Sequence, residues 1–132
     1  MSVEYRLDAA IDPQEAAALL VAGGFKRPLD DAGRVARMFA AAGLVVSAHE
    51  AGRMVGFVRV LTDRAYYGFV AEVVVAPDHQ RQGIGQAMLE RVRAELGPEV
   101  NLILNASETG EGFYQRLGWE RLTRGFKQSR SR

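Results

Sequence analysis

The residues best placed to do chemistry cluster between Val73 and Leu89, where the chain reads VVVAPDHQRQGIGQAML. Within it, Gln80-Arg81-Gln82-Gly83-Ile84-Gly85-Gln86 sets two glycines one residue apart where a helix should begin. The first N–H groups of a helix have no intrahelical partner and lie at the positive end of its dipole, so such a loop is a ready anion site. The same pattern can serve only to turn the chain tightly, and alone it leaves both readings open. Two nucleotide loops are excluded. There is no G-x-x-x-x-G-K-[ST] sequence, and Met88 stands where the dinucleotide fingerprint has its third glycine.

Two further groups have chemical potential. Asn105-Ala106-Ser107 precedes Phe113-Tyr114-x-x-Leu117-Gly118-Trp119, about thirty residues beyond the loop. Phe113 and Leu117 are four apart and face a core, whereas Tyr114 sits about 100° round the helix from Phe113. Its ring can pack, or its hydroxyl can meet a ligand. Glu72 immediately precedes Val73-Val74-Val75. It is a candidate base, and equally a candidate ion-pair partner for Arg59.

The elements that must position these groups follow from period and punctuation. Val73–Val75 is β-branched and continuous, as in a strand covered on both faces, and Pro77-Asp78 ends it. The helix from Gly83 carries Ile84, Ala87, Met88, Val92 and Leu96 inward and stops at Gly97-Pro98. Upstream, Val3–Leu7 alternates as a strand, and Asp12-Pro13-Gln14-Glu15 is a capped helix start that runs to Gly23-Gly24. Pro28-Leu29-Asp30-Asp31 sets up a second helix, with Val35, Met38, Phe39 and Ala42 at helical spacing. Leu44–Glu50 and Arg53–Thr62 pair across Ala51-Gly52, and Gly68–Val75 returns to complete a meander. Gly56 marks a close approach in the middle strand. Val100–Asn105 reads as a short buried strand parallel to Gly68–Val75. Ser107 or Thr109 opens a last helix over about 110–117, and Trp119–Phe126 reads as a final strand. The order is β-α-α-β-β-β-α-β-α-β, an α/β mixed sheet with helices on both sides.

Composition sets the remaining bounds. At 132 residues, 48% hydrophobic and 25% charged, the sequence suits one domain with a real core. No apolar run reaches the roughly 18–20 residues of a membrane span, and the N-terminus does not read as a signal peptide. The cytoplasm is the default compartment. The absence of cysteine removes disulfides, zinc-thiolate sites and a cysteine nucleophile, and His49 and His79 have no metal-site spacing. Residues 1–120 hold 12 basic and 16 acidic side chains, residues 121–132 five basic and none acidic. The basic end, 127–132 especially, reads as a flexible solvated tail. With Phe126 its one aromatic, it makes no case for nucleic acid.

Gln80-x-x-Gly83-x-Gly85 after a valine strand, together with Phe113-Tyr114-x-x-Leu117-Gly118-Trp119, resembles the paired signatures of the GNAT superfamily of acyl-CoA-dependent N-acetyltransferases. The likeness covers residues about 70–119. Trp119 replaces the usual Phe or Tyr after the glycine. The resemblance implies a mostly antiparallel sheet of about six or seven strands with about four helices, and one N-acetyltransferase domain over 1–132. It implies acetyl-CoA as cofactor, with an acetyl group passed to a primary amine on a small molecule or peptide. In relatives the backbone of Arg81 to Gln86 holds the pyrophosphate, with Gln80 and Arg81 adding side-chain contacts. The pantetheine arm pairs with the strand edge at Val73 and Val75, and Asn105 helps to hold it. The Val74 N–H is the implied donor to the thioester oxygen, Tyr114 the group that protonates or hydrogen-bonds the leaving thiolate, and Glu72 the base, directly or through a water. The family's layout puts the acceptor near Lys26–Leu29 and Tyr66–Tyr67. Homodimers are common in the superfamily, and no membrane or nucleic-acid partner is implied. Without cysteine, direct attack in a ternary complex is favoured over a covalent relay. A non-catalytic acyl-CoA-binding sensor is the alternative.

Overall fold

The computed structural model describes residues 2–132. Strand β1 (Glu4–Leu7) leads into helix α1 (Pro13–Ala22), whose Asp12 cap accepts from the Gln14 N–H at 3.0 Å. Helix α2 (Ala32–Ala40) starts later than Pro28 suggests, because Asp31 supplies the cap, accepting from the Arg34 N–H at 3.1 Å. Strands β2 (Leu44–Glu50) and β3 (Arg53–Thr62) are joined by Ala51 and Gly52, both with positive φ. Positive φ at both central positions matches the twist of a two-residue hairpin. Strand β4 (Tyr67–Val75) follows, then a 3-10 turn (Pro77–His79), helix α3 (Ile84–Leu96), strand β5 (Asn101–Ile103), a second 3-10 turn (Glu108–Gly110) and helix α4 (Glu111–Arg116).

The five strands form one sheet in the order β1-β2-β3-β4-β5, antiparallel except for the parallel β4–β5 pair. The expectation of six or seven strands is therefore corrected to five. Trp119–Phe126 forms no strand. Trp119 and Leu122, three apart, would fall on opposite faces of a strand, and Leu122 and Phe126, which would share one, are both exposed. Phe126 is 99% exposed. Strand β5 also ends two residues early, at Ile103, which leaves Asn105 exposed beyond it.

Helices cover both faces. Helix α1 lies over Val74, where a Cβ on Gly23 would stand 2.7 Å from the valine methyl, and Phe39 of α2 meets Phe57 edge-on at 5.3 Å. On the other face Ile84, Met88, Leu89 and Val92 of α3 are buried against the sheet. Met88 approaches β3 at Gly56, where an added Cβ would lie 3.2 Å from its methyl and 2.8 Å from the Val74 carbonyl oxygen. The close approach at Gly56 is thus a packing requirement of the α3 face. Arg93 ties the α3–β5 connection by donating to the carbonyls of Gly97 (2.7 Å) and Val100 (2.9 Å). No helix among the described residues is long and apolar enough to cross a membrane.

Candidate functional site

Strand β4 is the spine of the site because it has a partner along only part of one edge. It pairs with β5 from Tyr67 to Phe69, and beyond that only β3 accompanies it. The β3–β4 register skips Ala71, a bulge that bends the strand where β5 departs. The Ala76 N–H donates to the Val55 carbonyl at 2.7 Å, which fixes the alternation. Counting back, Val74 and Glu72 turn their main-chain groups toward β3, whereas Val73 and Val75 turn theirs to the open side. This corrects one expectation. The Val74 N–H belongs to the β3 ladder, and the donors free for a ligand are those of Val73 and Val75.

The loop closes the open end of this edge. Gln80 turns inward, its side-chain amide donating to the Val75 carbonyl at 3.1 Å, rather than outward toward an anion. Arg81 (φ 65°) and Gly83 (φ 81°) both adopt the left-handed conformation. For arginine that costs about 1–2 kcal/mol, and glycine adopts it freely. Nothing lies within 4 Å of a Cβ built on Gly83, so this position faces open space. Gly85 is different. Its Cβ would lie 3.4 Å from the Phe113 ring and 3.9 Å from methyls of Val73 and Val75, so its smallness brings α3 onto β4. The first bond of α3 runs from the Ala87 N–H to the Gly83 carbonyl at 2.9 Å. The N–H groups of Ile84, Gly85 and Gln86 precede it and have no helical acceptor. Gln82 is exposed in the same loop.

Tyr114 lies on α4, next to Phe113, whose ring comes within 3.4 Å of a Cβ built on Gly85. Its ring is held edge-on between Phe113 (5.0 Å) and Trp119 (5.6 Å). Burial pushes its phenol up to about 12, so it is a neutral O–H donor at physiological pH. The Ser107 hydroxyl starts the preceding 3-10 turn by accepting from the Gly110 N–H at 3.1 Å. The two packing roles expected of Phe113 and Trp119 thus also orient Tyr114.

Glu72 is not alone in an apolar strand. Its side chain is fully buried, and Arg59, directly opposite on β3, grips it with two hydrogen bonds of 2.7 and 2.6 Å. Arg27, from the α1–α2 connection, donates a third at 2.6 Å. Arg59 also donates to the Met38 carbonyl at 3.3 Å, which binds α2 to the sheet. Three donors from two guanidiniums hold both carboxylate oxygens, Oε2 twice, so this geometry fits an anchor. Beside the triad lies a cavity of about 170 Å³ with Arg27, Arg34, Arg59 and Arg130 in its wall. No local pattern signals that Arg34 and Arg130 line one cavity, since 96 positions separate them. Of the residues expected near an acceptor, Pro28 and Leu29 line this cavity and Tyr66 and Tyr67 are exposed. A larger cavity, about 300 Å³, lies between the β1–α1 and α2–β2 connections, away from the loop and Tyr114.

His79 was also missed as a contributor. It is buried at the end of the turn that feeds the loop, with Nδ1 2.8 Å from Asp78 and Nε2 3.0 Å from Glu50 at the end of β2. The hydrogen bond to Glu50, then that to Asp78, raises its pKa above the usual histidine value. The histidine therefore pins the base of the loop to the neighbouring hairpin.

A mixed sheet that parts beside a glycine-bearing helix start leaves one strand edge open next to unpartnered main-chain donors. Residues 41–121 match the acetyltransferase (GNAT) domain family. The chain is 36% identical over 77 residues to the chloroplastic GCN5-related N-acetyltransferase 2 of Arabidopsis thaliana, covering 57% of this chain and 30% of that protein. It spans about a third of the length of the first curated relatives it matches. In fold it is similar to a GNAT-family acetyltransferase from Streptococcus pneumoniae (TM-score 0.78, 20% identity, 99% of this chain and 100% of that one). It is also similar to an aminoglycoside N-acetyltransferase solved with CoA (TM-score 0.73, 15% identity, 98% and 95% covered). The chain belongs to the GNAT superfamily of N-acetyltransferases.

Proposed function

We propose that this chain transfers an acetyl group from acetyl-CoA to a primary amine by direct attack in a ternary complex. The observation that carries this reading is the open edge of β4 at Val73 and Val75, packed against Gly85 at the start of α3, which in turn meets Phe113 beside Tyr114. Acetyl-CoA, when bound, supplies an activated acyl group on a thiol leaving group.

The residues present fit that ligand. The unpartnered N–H groups of Ile84, Gly85 and Gln86, beside the open space at Gly83, suit a pyrophosphate. The main-chain groups of Val73 and Val75 suit the amides of a pantetheine arm, as an added strand would. One of those N–H groups can also hold negative charge as it develops on the acyl oxygen, a donor role commonly worth about 3–4 kcal/mol. Asn105, exposed where β5 ends, can reach the same arm. The neutral phenol of Tyr114 donates a hydrogen bond, or its proton, to the departing sulfur. Glu72 positions Arg27 and Arg59 on the acceptor side, and the amine proton leaves through water.

A non-catalytic acyl-CoA sensor needs the loop and the strand edge but not Tyr114. The protonated, half-buried phenol therefore favours the enzyme. Thermal unfolding with acetyl-CoA, CoA and NAD tests the cofactor site. Binding to the native state alone stabilises by about 2.7 kcal/mol at a hundredfold excess over Kd. Stabilisation by both CoA compounds and none by NAD is expected. Equal shifts with all three, or none, would overturn the assignment of the loop.

A further inference from the structure

The arginine cavity shares no residue with the loop, strand edge and tyrosine proposed above for the cofactor and its thiol. We infer that it receives an anionic group, a carboxylate or a phosphate, carried by the amine acceptor itself. This rests on the acetyltransferase reading and narrows its substrate class.

Four guanidiniums, those of Arg27, Arg34, Arg59 and Arg130, share the wall with apolar residues such as Leu29 and Met38, and no acidic side chain lines it. The one acidic side chain in contact is Glu72, which engages only Arg27 and Arg59. Positive charge therefore stays in excess. Arg59 spends its donors on Glu72 and Met38, but Arg27 gives Glu72 a single nitrogen and rests its guanidinium over the Phe25 ring at 5.4 Å. Arg34 already holds an oxygen, donating to the terminal main-chain oxygen of Arg132 at 3.0 Å. The basic tail thus folds against α2 and brings Arg130 to the cavity instead of running clear of the body. Planar guanidinium forks match carboxylate and phosphate oxygens.

Position links the cavity to the reaction. Glu72, the anchor of the arginines, is the residue before Val73, whose main chain faces the open edge. An acceptor with its anion among the arginines would reach β4 with its amine. The same charge excess disfavours polycationic acceptors such as polyamines and aminoglycosides.

The test is calorimetric titration of inorganic phosphate into the full chain, with and without saturating CoA, for wild type, Arg34→Gln and Arg130→Gln. CoA blocks the loop, so phosphate heat that persists in its presence belongs to the cavity. Each substitution should weaken that binding about tenfold, the loss expected for one charge-assisted hydrogen bond. Arg130 is exposed, so its replacement leaves the fold intact. In turnover, an amino acid should outperform its amide, and phosphoethanolamine should outperform ethanolamine. Arg34→Gln should erase that preference through KM for the amine, with KM for acetyl-CoA unmoved. Phosphate binding that vanishes under CoA or ignores both substitutions overturns the inference, as does a preference for neutral or polycationic amines. If CoA does not bind at all, the acetyltransferase reading falls, and phosphate titration of the free protein against Arg34→Gln still decides the cavity.

Discussion

The two flanks of β4 solve the problem of holding charge in different ways. On the α3 side the groups we propose for the ligand are main-chain N–H donors in one contiguous stretch, Ile84 to Gln86, with Val73 and Val75 just upstream. On the α1–α2 side they are arginine side chains gathered from four separate parts of the chain around one buried carboxylate. Main-chain donors come with the fold and need no counter-charge. Buried side-chain charges must be balanced, and the fold depends on that balance. The α3 flank should therefore tolerate side-chain changes in stability terms, while the α1–α2 flank should not.

The widest test of that contrast is Glu72→Ala. It leaves Arg59, with only 8% of its side chain exposed, uncompensated in the core, and removing one partner of a buried ion pair costs about 3–5 kcal/mol. Gln80→Ala removes one exposed loop hydrogen bond and should cost about 0.5–1.5 kcal/mol at most. Urea unfolding of the two variants measures both. Similar losses would mean that the flanks are not built differently.

Tyr114→Phe probes the proposed chemistry. It removes only the hydroxyl, so kcat should fall about a hundredfold, close to 2.7 kcal/mol, while acetyl-CoA affinity holds. The sign of the pH effect follows from the phenol's value of about 12. A folded-state pKa above the ordinary 10 means the native protein keeps the proton, and stability declines only as pH rises from 10 toward 12. Steady-state kinetics should thus show no falling limb from Tyr114 below about pH 10. An unchanged kcat would take the tyrosine out of the chemistry.

The same contrast explains what the sequence could say. The strand, loop and helix from Val73 to Leu96, and the FYxxLGW stretch, were legible because their signals are local: valine runs, glycine positions and helical spacing. The boundaries of β2 and β3 were legible for the same reason, through a two-residue turn. Arg27 and Arg34 were not, because only tertiary contact across 45 residues brings Arg27 to Glu72. Glu72 read equally well as a base or as a partner for Arg59, and no spacing rule could choose between them. The orientation of the Val74 N–H needed the strand register, and one residue of slip reverses it. The missing terminal strand was a misread period. Trp119, Leu122 and Phe126 are apolar often enough to suggest a strand but do not all share one strand face.

The smallest expected effect concerns the hinge between loop and sheet. His79 pins the start of the loop through side-chain charge, bridging Asp78 and Glu50 with Arg53 nearby at 3.5 Å. Its pKa is raised from 6.5, so its contribution is fully present below pH 6.5 and is lost as pH rises through the folded value. His49, hydrogen-bonded to Ser47 at 2.9 Å, has its pKa lowered from 6.5, chiefly by burial, and costs stability as pH falls below 6.5. Together they place a shallow maximum near that pH. His79→Gln should flatten the alkaline side of the maximum and leave the acid side in place, as read from thermal unfolding across pH 5 to 9. If the bridge also holds the loop in register, wild-type affinity for CoA should fall over the same alkaline window, and the variant's should not. An alkaline slope that survives the substitution would place the titrating group elsewhere, and the α3 flank would then rest on main-chain geometry alone.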